Sequence, residues 1–278
     1  ITDLAQQNIK VMADGADAGG FHPVQEQDLF DLEYWSLEQA KLGKSKPPAM
    51  QGQVVIVTGG AGAIGSAIAK EFHVDGAEIM LVDKNAEHLQ RVKSQIDPKI
   101  SILQIDVTQP GAPSHIIEAV TKIYGGVDIL ISNAGSAQQS SIIDMGQQLL
   151  RDSFELNFFS HFMLAQEVFK VFRKQAINGQ ILFNVSKQAI NPGQNFGAYG
   201  LPKATLMFLV RQLALEFGAD GIRVNGVNAD RIRSGLLNDQ MILSRSKARG
   251  LSETDYLTGN LIGKEVEARK VGQAGRIL

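Results

Sequence analysis

Tyr199 and Lys203 stand four residues apart, a spacing that puts both on one face of a helix. A phenol titrates near about 10, and a neighbouring ammonium favours its ionised form. Such a tyrosine can take a proton from an alcohol or give one to a carbonyl. The same spacing also fits a solvated helix face. Pro202 lies between the two; if the helix starts near Ala198, the proline falls in the first turn, where its missing N–H is harmless. A second chemical signal is TGGAGAIG (58–65). Gly59 suits a tight turn, Gly65 a close strand–helix approach, and a helix opening there offers free N–H groups to a pyrophosphate. A mononucleotide loop would need Lys after the last glycine; Ser66 stands there instead. Asp83 comes 24 residues after Gly59. A carboxylate there can accept both ribose hydroxyls of an adenosine and repel a 2′-phosphate. With no Lys or Arg in the glycine turn, this favours NAD over NADP, against which Lys84 weighs slightly. Asp83 could instead cap the next helix.

Elements that would position these residues are legible as alternation. Short apolar runs QVVIVT (53–58), AEIMLVD (77–83), SILQID (101–106), VDILISN (127–133), QILFNVS (180–186) and IRVNGVN (222–228) read as buried strands. Helical stretches separate them: Gly65–Phe72, Glu87–Ile96, Pro113–Tyr124, a long one over Gly146–Phe172, and Ala198–Phe217. This order predicts an α/β fold, a doubly wound Rossmann-type parallel sheet in the order 3-2-1-4-5-6 with helices on both faces and a ligand crevice at the switch point. The segments around 136–150 and 235–262 read as loops that shape the pocket without a readable code.

Composition narrows the function. The 278 residues carry 27 Lys+Arg against 29 Asp+Glu, a net charge of -2, so nothing suggests a nucleic-acid partner. Cys is 0, which excludes disulfides, thiolate zinc and cysteine nucleophiles. His22, His73, His88, His115 and His161 share no ligand-like spacing, and no catalytic metal is expected. No G-x-S-x-G elbow occurs. The charge-free run between Lys46 and Lys70 is broken by glycines and reads as strand, turn and helix start, so no membrane span is expected. With no signal peptide, the expected location is cytoplasmic. Residues 1–46 differ from the rest: acidic, with Trp35 in a short amphipathic candidate helix and KSKPP (44–48) as a linker. They are read as an N-terminal arm ahead of a dinucleotide-binding domain over 47–278.

TGGAGAIG, Asp83, SNAG (132–135), Asn157, Ser186 and YGLPK (199–203) together resemble the short-chain dehydrogenase/reductase family over residues 51–234. The resemblance implies that Tyr199 is the acid/base and that Ser186, thirteen residues earlier, orients the substrate oxygen. Lys203 would hold the nicotinamide ribose and depress the tyrosine, and Asn157 would order a water. It lays NAD along Gly59, Ala61, Ala63, Ile64 and Gly65, with Asp83 at the ribose, Asp106 and Val107 at the adenine, and Asn133, Ala134 and Gly135 as a bracing turn beside the cofactor. FNVSKQAINPGQNFGAYGLPKA (183–204), VNADRIRSGL (227–236) and FDLEYWSLEQAKL (30–42) look like the dehydrogenase half of bifunctional aldolase/short-chain dehydrogenases of rhamnose breakdown, with a rhamnulose-phosphate aldolase half upstream. That likeness implies a small hydroxy-aldehyde such as lactaldehyde, or a related polyol.

Departures from the family pattern are specific. Ala63 replaces the middle glycine, Ala229–Asp230 replaces Pro-Gly after the sixth strand, and Ser234 stands where a nicotinamide-contacting Thr is usual. Asp230, Arg231 and Arg233 bring charge there, either as surface salt bridges or as an arginine facing a phosphate or carboxylate substrate. The last strand with its Asp-Gly-Gly is not found. The chain is therefore expected to be an NAD-dependent alcohol/carbonyl oxidoreductase of the alcohol dehydrogenase type, the second reading being a catalytically idle dinucleotide-binding or assembly domain. Apolar residues Leu156, Phe159, Phe162, Phe169, Leu206, Phe208, Leu209 and Leu213 are too many for one stripe per helix. They predict a homodimer, or a homotetramer if the second contact survives.

Overall fold

A computed structural model describes residues 2–20, 25 and 47–277. They divide into two compact units, residues 1–47 and 48–278. In the first, helix α1 (Thr2–Asp17) is described; the Trp35 segment and residues 44–46 of the KSKPP stretch lie outside the described residues.

The second unit is built on one six-stranded sheet. Strands β1 (Val54–Thr58), β2 (Glu78–Asp83), β3 (Ser101–Gln104), β4 (Ile129–Ser132), β5 (Gln180–Asn184) and β6 (Arg223–Val227) run in the order β3-β2-β1-β4-β5-β6, every pair parallel. The doubly wound order read from the sequence is the observed one. β6 is an edge, and no seventh strand occurs among the described residues. Successive side chains on a strand point to opposite faces, so continuous apolar runs feed two cores. On one face Ile56, Met80, Leu130, Ile181 and Phe183 pack against Ile116, Val120, Leu164, Val168, Phe172 and Leu206. These belong to helices α4 (Ala112–Tyr124), α6 (Ser160–Gln175) and α7 (Gly197–Phe217). On the other face Val55, Val57, Ile79, Leu81 and Ile131 meet Ile68, Phe72, Leu89 and Val271, from helices α2 (Ala63–Val74), α3 (Ala86–Ile96) and α10 (Ala268–Ile277).

Helix α10 covers α2 through a buried carboxylate. Glu71 takes Arg269 Nε at 3.0 Å and Arg276 Nη1 at 3.1 Å, and Arg276 Nε reaches Asp75 at 2.7 Å. Burial alone would raise the Glu71 carboxyl, but the two arginine hydrogen bonds hold it below its usual value. Gly272 lets the helices touch: a Cβ there would lie 2.9 Å from the Ala67 carbonyl oxygen.

Three expectations need correction. The helix expected over Gly146–Phe172 is broken into α5 (Gln147–Phe154), a π-helical turn Glu155–Phe159 and α6. Segment 235–262 is not simply loop; it carries α8 (Asp239–Lys247) and α9 (Glu253–Thr258), capped by the side chains of Asn238 and Ser252. Pro202 is the sixth residue of α7, which starts at Gly197, and would be the fifth even from Ala198, so it lies beyond the first turn. The proline cannot bond the Ala198 carbonyl; Ser153 Oγ donates to that oxygen instead, at 2.6 Å. No helix among the described residues is long and apolar enough to cross a membrane.

Candidate active site

The site lies at the carboxyl ends of β1, β4 and β5, where the strand order reverses. Gly59 has φ 62°, a left-handed turn that an L side chain rarely adopts. A Cβ on Gly65 would sit 2.2 Å from the Gly59 oxygen, so the helix can start this close only with glycine. Helix α2 then opens at Ala63, after Gly62, with no side-chain cap and no acid in its first turn. Its first-turn N–H groups remain available to an anion.

Asp83 ends β2 and reaches back, accepting from Ala61 N–H at 3.2 Å and from Asn85 N–H at 3.0 Å. It does not cap α3; Asn85 does, accepting from His88 N–H at 2.9 Å. A cavity of about 540 Å³ runs from Gly59 and Asp83 past Asp106 and Val107 to Ala134 and Gly135. Asp106 lies just beyond β3, where Thr108 backbone N–H (3.0 Å) and hydroxyl (2.7 Å) donate to it and hold its carboxyl below the usual value. Dinucleotide-sized space, open helix N–H groups and a carboxylate at the strand end together fit a nicotinamide dinucleotide.

The SNAG turn braces this floor. Thr58 Oγ1 accepts from Asn133 N–H at 2.9 Å and Ala134 N–H at 3.1 Å. Asn133 Nδ2 donates to Thr58 O at 3.0 Å and Gly59 O at 3.2 Å. Asn157 sits in the π-helical turn, fully buried. Its Nδ2 donates to Ser136 O at 3.0 Å and to Ser153 O and Oγ at 3.1 Å, and its Oδ1 accepts from Ser136 N–H at 3.2 Å. Sequence reasoning missed both Ser136 and Ser153. A π turn is a frequent marker of functional positions, but no local residue pattern announced it.

Ser186, buried just past β5, begins a 3-10 turn. It hydrogen-bonds to Tyr199, which projects from the first turn of α7. Burial raises the Tyr199 phenol above its usual value, and the Ser186 hydrogen bond offsets only part of that. The expected depression by Lys203 is therefore not what this geometry produces. The ammonium is 5.9 Å from the tyrosine ring centroid and donates to Asn184 O at 2.8 Å. Burial lowers Lys203 itself to about 7, which dilutes its positive charge at neutral pH. Beneath it, buried His161 shares a 2.6 Å hydrogen bond with Ser132. Desolvation, aided by the Lys203 charge, holds that imidazole well below its usual value, so it stays neutral.

Next to Ser186 and Tyr199 is a second cavity of about 250 Å³, which also takes in Ile64 and Ser234. Ser234 Oγ accepts from Leu236 N–H at 3.2 Å and Leu237 N–H at 3.3 Å, fixing the turn after β6. Arg233 is not on this cavity; it forms surface bridges to Glu265 and Asp239. Arg231 is on it, with φ 51°, and its guanidinium donates to Tyr256 O and Gly259 O. Asp230 pairs with Lys187 at 2.9 Å.

Residues 53–241 match the short chain dehydrogenase family. The chain belongs to that family. It is 32% identical over 238 residues to the uncharacterized oxidoreductase YuxG of Bacillus subtilis (strain 168), covering 84% of this chain but 34% of that protein. This dehydrogenase chain thus spans about a third of that relative's length. It is 31% identical over 214 residues to the 7alpha-hydroxysteroid dehydrogenase of Escherichia coli (strain K12), covering 73% of this chain and 83% of that one. The fold is shared with the crystal structure of gox2181 (TM-score 0.75, 24% identity, 82% and 89% coverage). It is shared too with a Brucella melitensis 3-ketoacyl-(acyl-carrier-protein) reductase complexed with NADH (TM-score 0.74, 22% identity, 82% and 91% coverage). Residues 1–42 of the dehydrogenase chain match a different family, aldolase class II, second domain.

The buried lysine makes stability pH-dependent. Below about 7 Lys203 is protonated in both states and the full cost of burying its charge is present. Between about 7 and 10.5 the unfolded chain binds the extra proton, so stability rises with pH, by up to about 1.4 kcal/mol per pH unit. Melting temperatures of the cofactor-free protein from pH 7 to 9.5 are expected to carry this rise, and Lys203→Met to flatten it; parallel profiles would show that the lysine is not desolvated.

Proposed function

We propose that this chain is an NAD-dependent oxidoreductase acting between an alcohol and a carbonyl compound. The observation that carries the reading is the meeting of Ser186, Tyr199 and Lys203 beside a small cavity, at the end of a dinucleotide-sized cleft. NAD, when bound, supplies the two-electron acceptor for the hydride leaving the carbinol carbon. The chain's own residues handle the proton. Ser186 Oγ holds the substrate oxygen, and Tyr199 Oη takes the hydroxyl proton in oxidation or returns it in reduction. Lys203, anchored on Asn184 O, holds the nicotinamide ribose, and Asn157 fixes the Ser136 segment. The first-turn N–H groups of α2 hold the pyrophosphate, and Asp83 the adenosine ribose.

The small second cavity and the aldolase-family match of residues 1–42 support a small hydroxy-carbonyl substrate such as lactaldehyde, or a related polyol, downstream of an aldolase half in rhamnose breakdown. An aldehyde reaches the acid only through its hydrate, so reduction to a diol is equally open. We also propose a homodimer. Phe169, Leu206, Leu209 and Leu213 face the core, whereas Phe159, Met163, Leu201, Phe208 and Leu215 are exposed. On α7 the exposed residues recur every seventh position, a stripe suited to a second copy.

Tyr199→Phe keeps the ring and removes the proton carrier. Turnover should fall roughly 10²–10⁴-fold while NADH affinity is retained; near-normal turnover would remove the assigned role. NADH is expected to bind roughly 10-fold or more tightly than NADPH, the scale of one charged hydrogen bond, and equal dissociation constants would reverse the cofactor assignment. Light scattering across a concentration series should give a dimer; a monomer at micromolar concentration would refute the helix-face contact.

A further inference from the structure

The second cavity is cationic. Lys187, Arg231, Arg245 and Arg249 line it against a single carboxylate, Asp230. That carboxylate is engaged by Lys187 at 2.9 Å and lies 3.7 Å from Arg231. Among the described residues, neither Arg245 nor Arg249 has a carboxylate partner. Both are held by aromatic rings instead. Arg245 stacks over Phe196 at 4.2 Å and Arg249 over Tyr256 at 5.5 Å, and Tyr256 is itself buried. Stacking uses the face of a guanidinium and leaves its edge donors free. Arg245 Nε is buried and has no hydrogen-bond partner. Arg245 Nη1 makes only a long 3.4 Å contact to Tyr256 Oη, and Arg249 Nη1 donates to Arg245 O at 3.2 Å.

Desolvating a guanidinium without an anion is costly; Arg245 is partly buried with its Nε enclosed, and the exposed Arg249 stands beside it on the wall of the same cavity. The cofactor's ribose end cannot account for them, because Asp83 and Lys84 line the other cavity. We propose that the substrate of Tyr199 carries an anionic group, a carboxylate or a phosphate, bound by Arg245 and Arg249 while its reacting oxygen lies on Ser186. The inference rests on the oxidoreductase reading and refines it: a charged hydroxy compound outranks lactaldehyde or a plain diol.

The test compares 1,2-propanediol, lactate and 1,2-propanediol 1-phosphate as alcohols oxidised with NAD by the full chain. At least one charged compound should exceed the diol in kcat/KM by roughly 10-fold or more. Which one does so distinguishes carboxylate from phosphate. In the Arg245→Gln/Arg249→Gln variant that selectivity ratio should fall roughly 10–100-fold, the scale of one or two charge-assisted hydrogen bonds. Arg233→Gln, off the cavity, should leave it unchanged. Arg249→Gln alone serves if the double variant does not fold. A diol as good as both anions, or a ratio untouched by the arginine variants, would overturn the proposal and leave the oxidoreductase reading intact. An equal loss of NADH affinity in the variants would assign the arginines to the cofactor and also overturn it. If no alcohol is oxidised, the oxidoreductase reading fails separately. Calorimetry with lactate and with inorganic phosphate then decides the anion site, since binding lost in the variants supports it and no binding of either anion rejects it.

Discussion

One chain of hydrogen bonds ties the glycine turn to the reactive helix. Asn133 Nδ2 donates to Gly59 O, Asn184 Nδ2 donates to Asn133 Oδ1 at 2.9 Å, and Lys203 Nζ donates to Asn184 O. The chain crosses β1, β4 and β5 where the strand order reverses, so the glycine turn cannot shift without moving the lysine. Every link is buried or partly buried, where a lost partner costs about 1–3 kcal/mol. A buried ammonium is tolerable only with such an acceptor, and the same burial that fixes its position brings its titration to about 7.

A second network compensates for a proline. Tyr199 and Lys203 share a helix face by their spacing, but Pro202 between them leaves the Ala198 carbonyl without its helical donor. Ser153 supplies that donor and also receives Asn157 Nδ2. The π turn at Glu155–Phe159 is what carries Asn157 inward from a helix otherwise packed on the sheet. Strain at the proline, the interruption of the α5–α6 helix and the orientation of Asn157 are thus one arrangement. Altering any one member leaves a buried polar atom elsewhere in it.

The sheet was legible because strands buried on both faces are continuous apolar runs, and no helix of similar composition is so short. The run QVVIVT maps onto β1 within one residue, and six alternating strands with right-handed crossovers fit the doubly wound order that the sheet has. The glycine turn was legible because close backbone approach leaves glycine no substitute at Gly65. What escaped was set by tertiary contact. No local pattern marks a π turn, and Pro202 lies beyond the harmless first turn whether α7 is counted from Gly197 or from Ala198. Asn238 and Ser252 were readable caps, yet α8 and α9 have weak apolar periodicity and were passed over as loop. Lys203 was expected to depress Tyr199; that argument counted the ammonium but not the desolvation both groups undergo together.

Those overlooked short helices give the substrate side its character. Helix α8, the turn after it and helix α9 bring Arg245, Arg249 and Tyr256 to the wall of the second cavity, and Arg231 is tied to them through the Tyr256 and Gly259 carbonyls. With Ala229–Asp230 in place of Pro-Gly, the backbone after β6 runs into a left-handed residue at Arg231, a conformation that costs energy in any residue but glycine. That cost is consistent with a segment whose job is to hold charge at a fixed place. The proton chemistry depends on the sheet ends and the reactive helix. On the proposed reading, discrimination among substrates falls to α8, α9 and the turn between them, whose arginines stack on Phe196 and Tyr256, so it can vary independently of the proton chemistry on one scaffold.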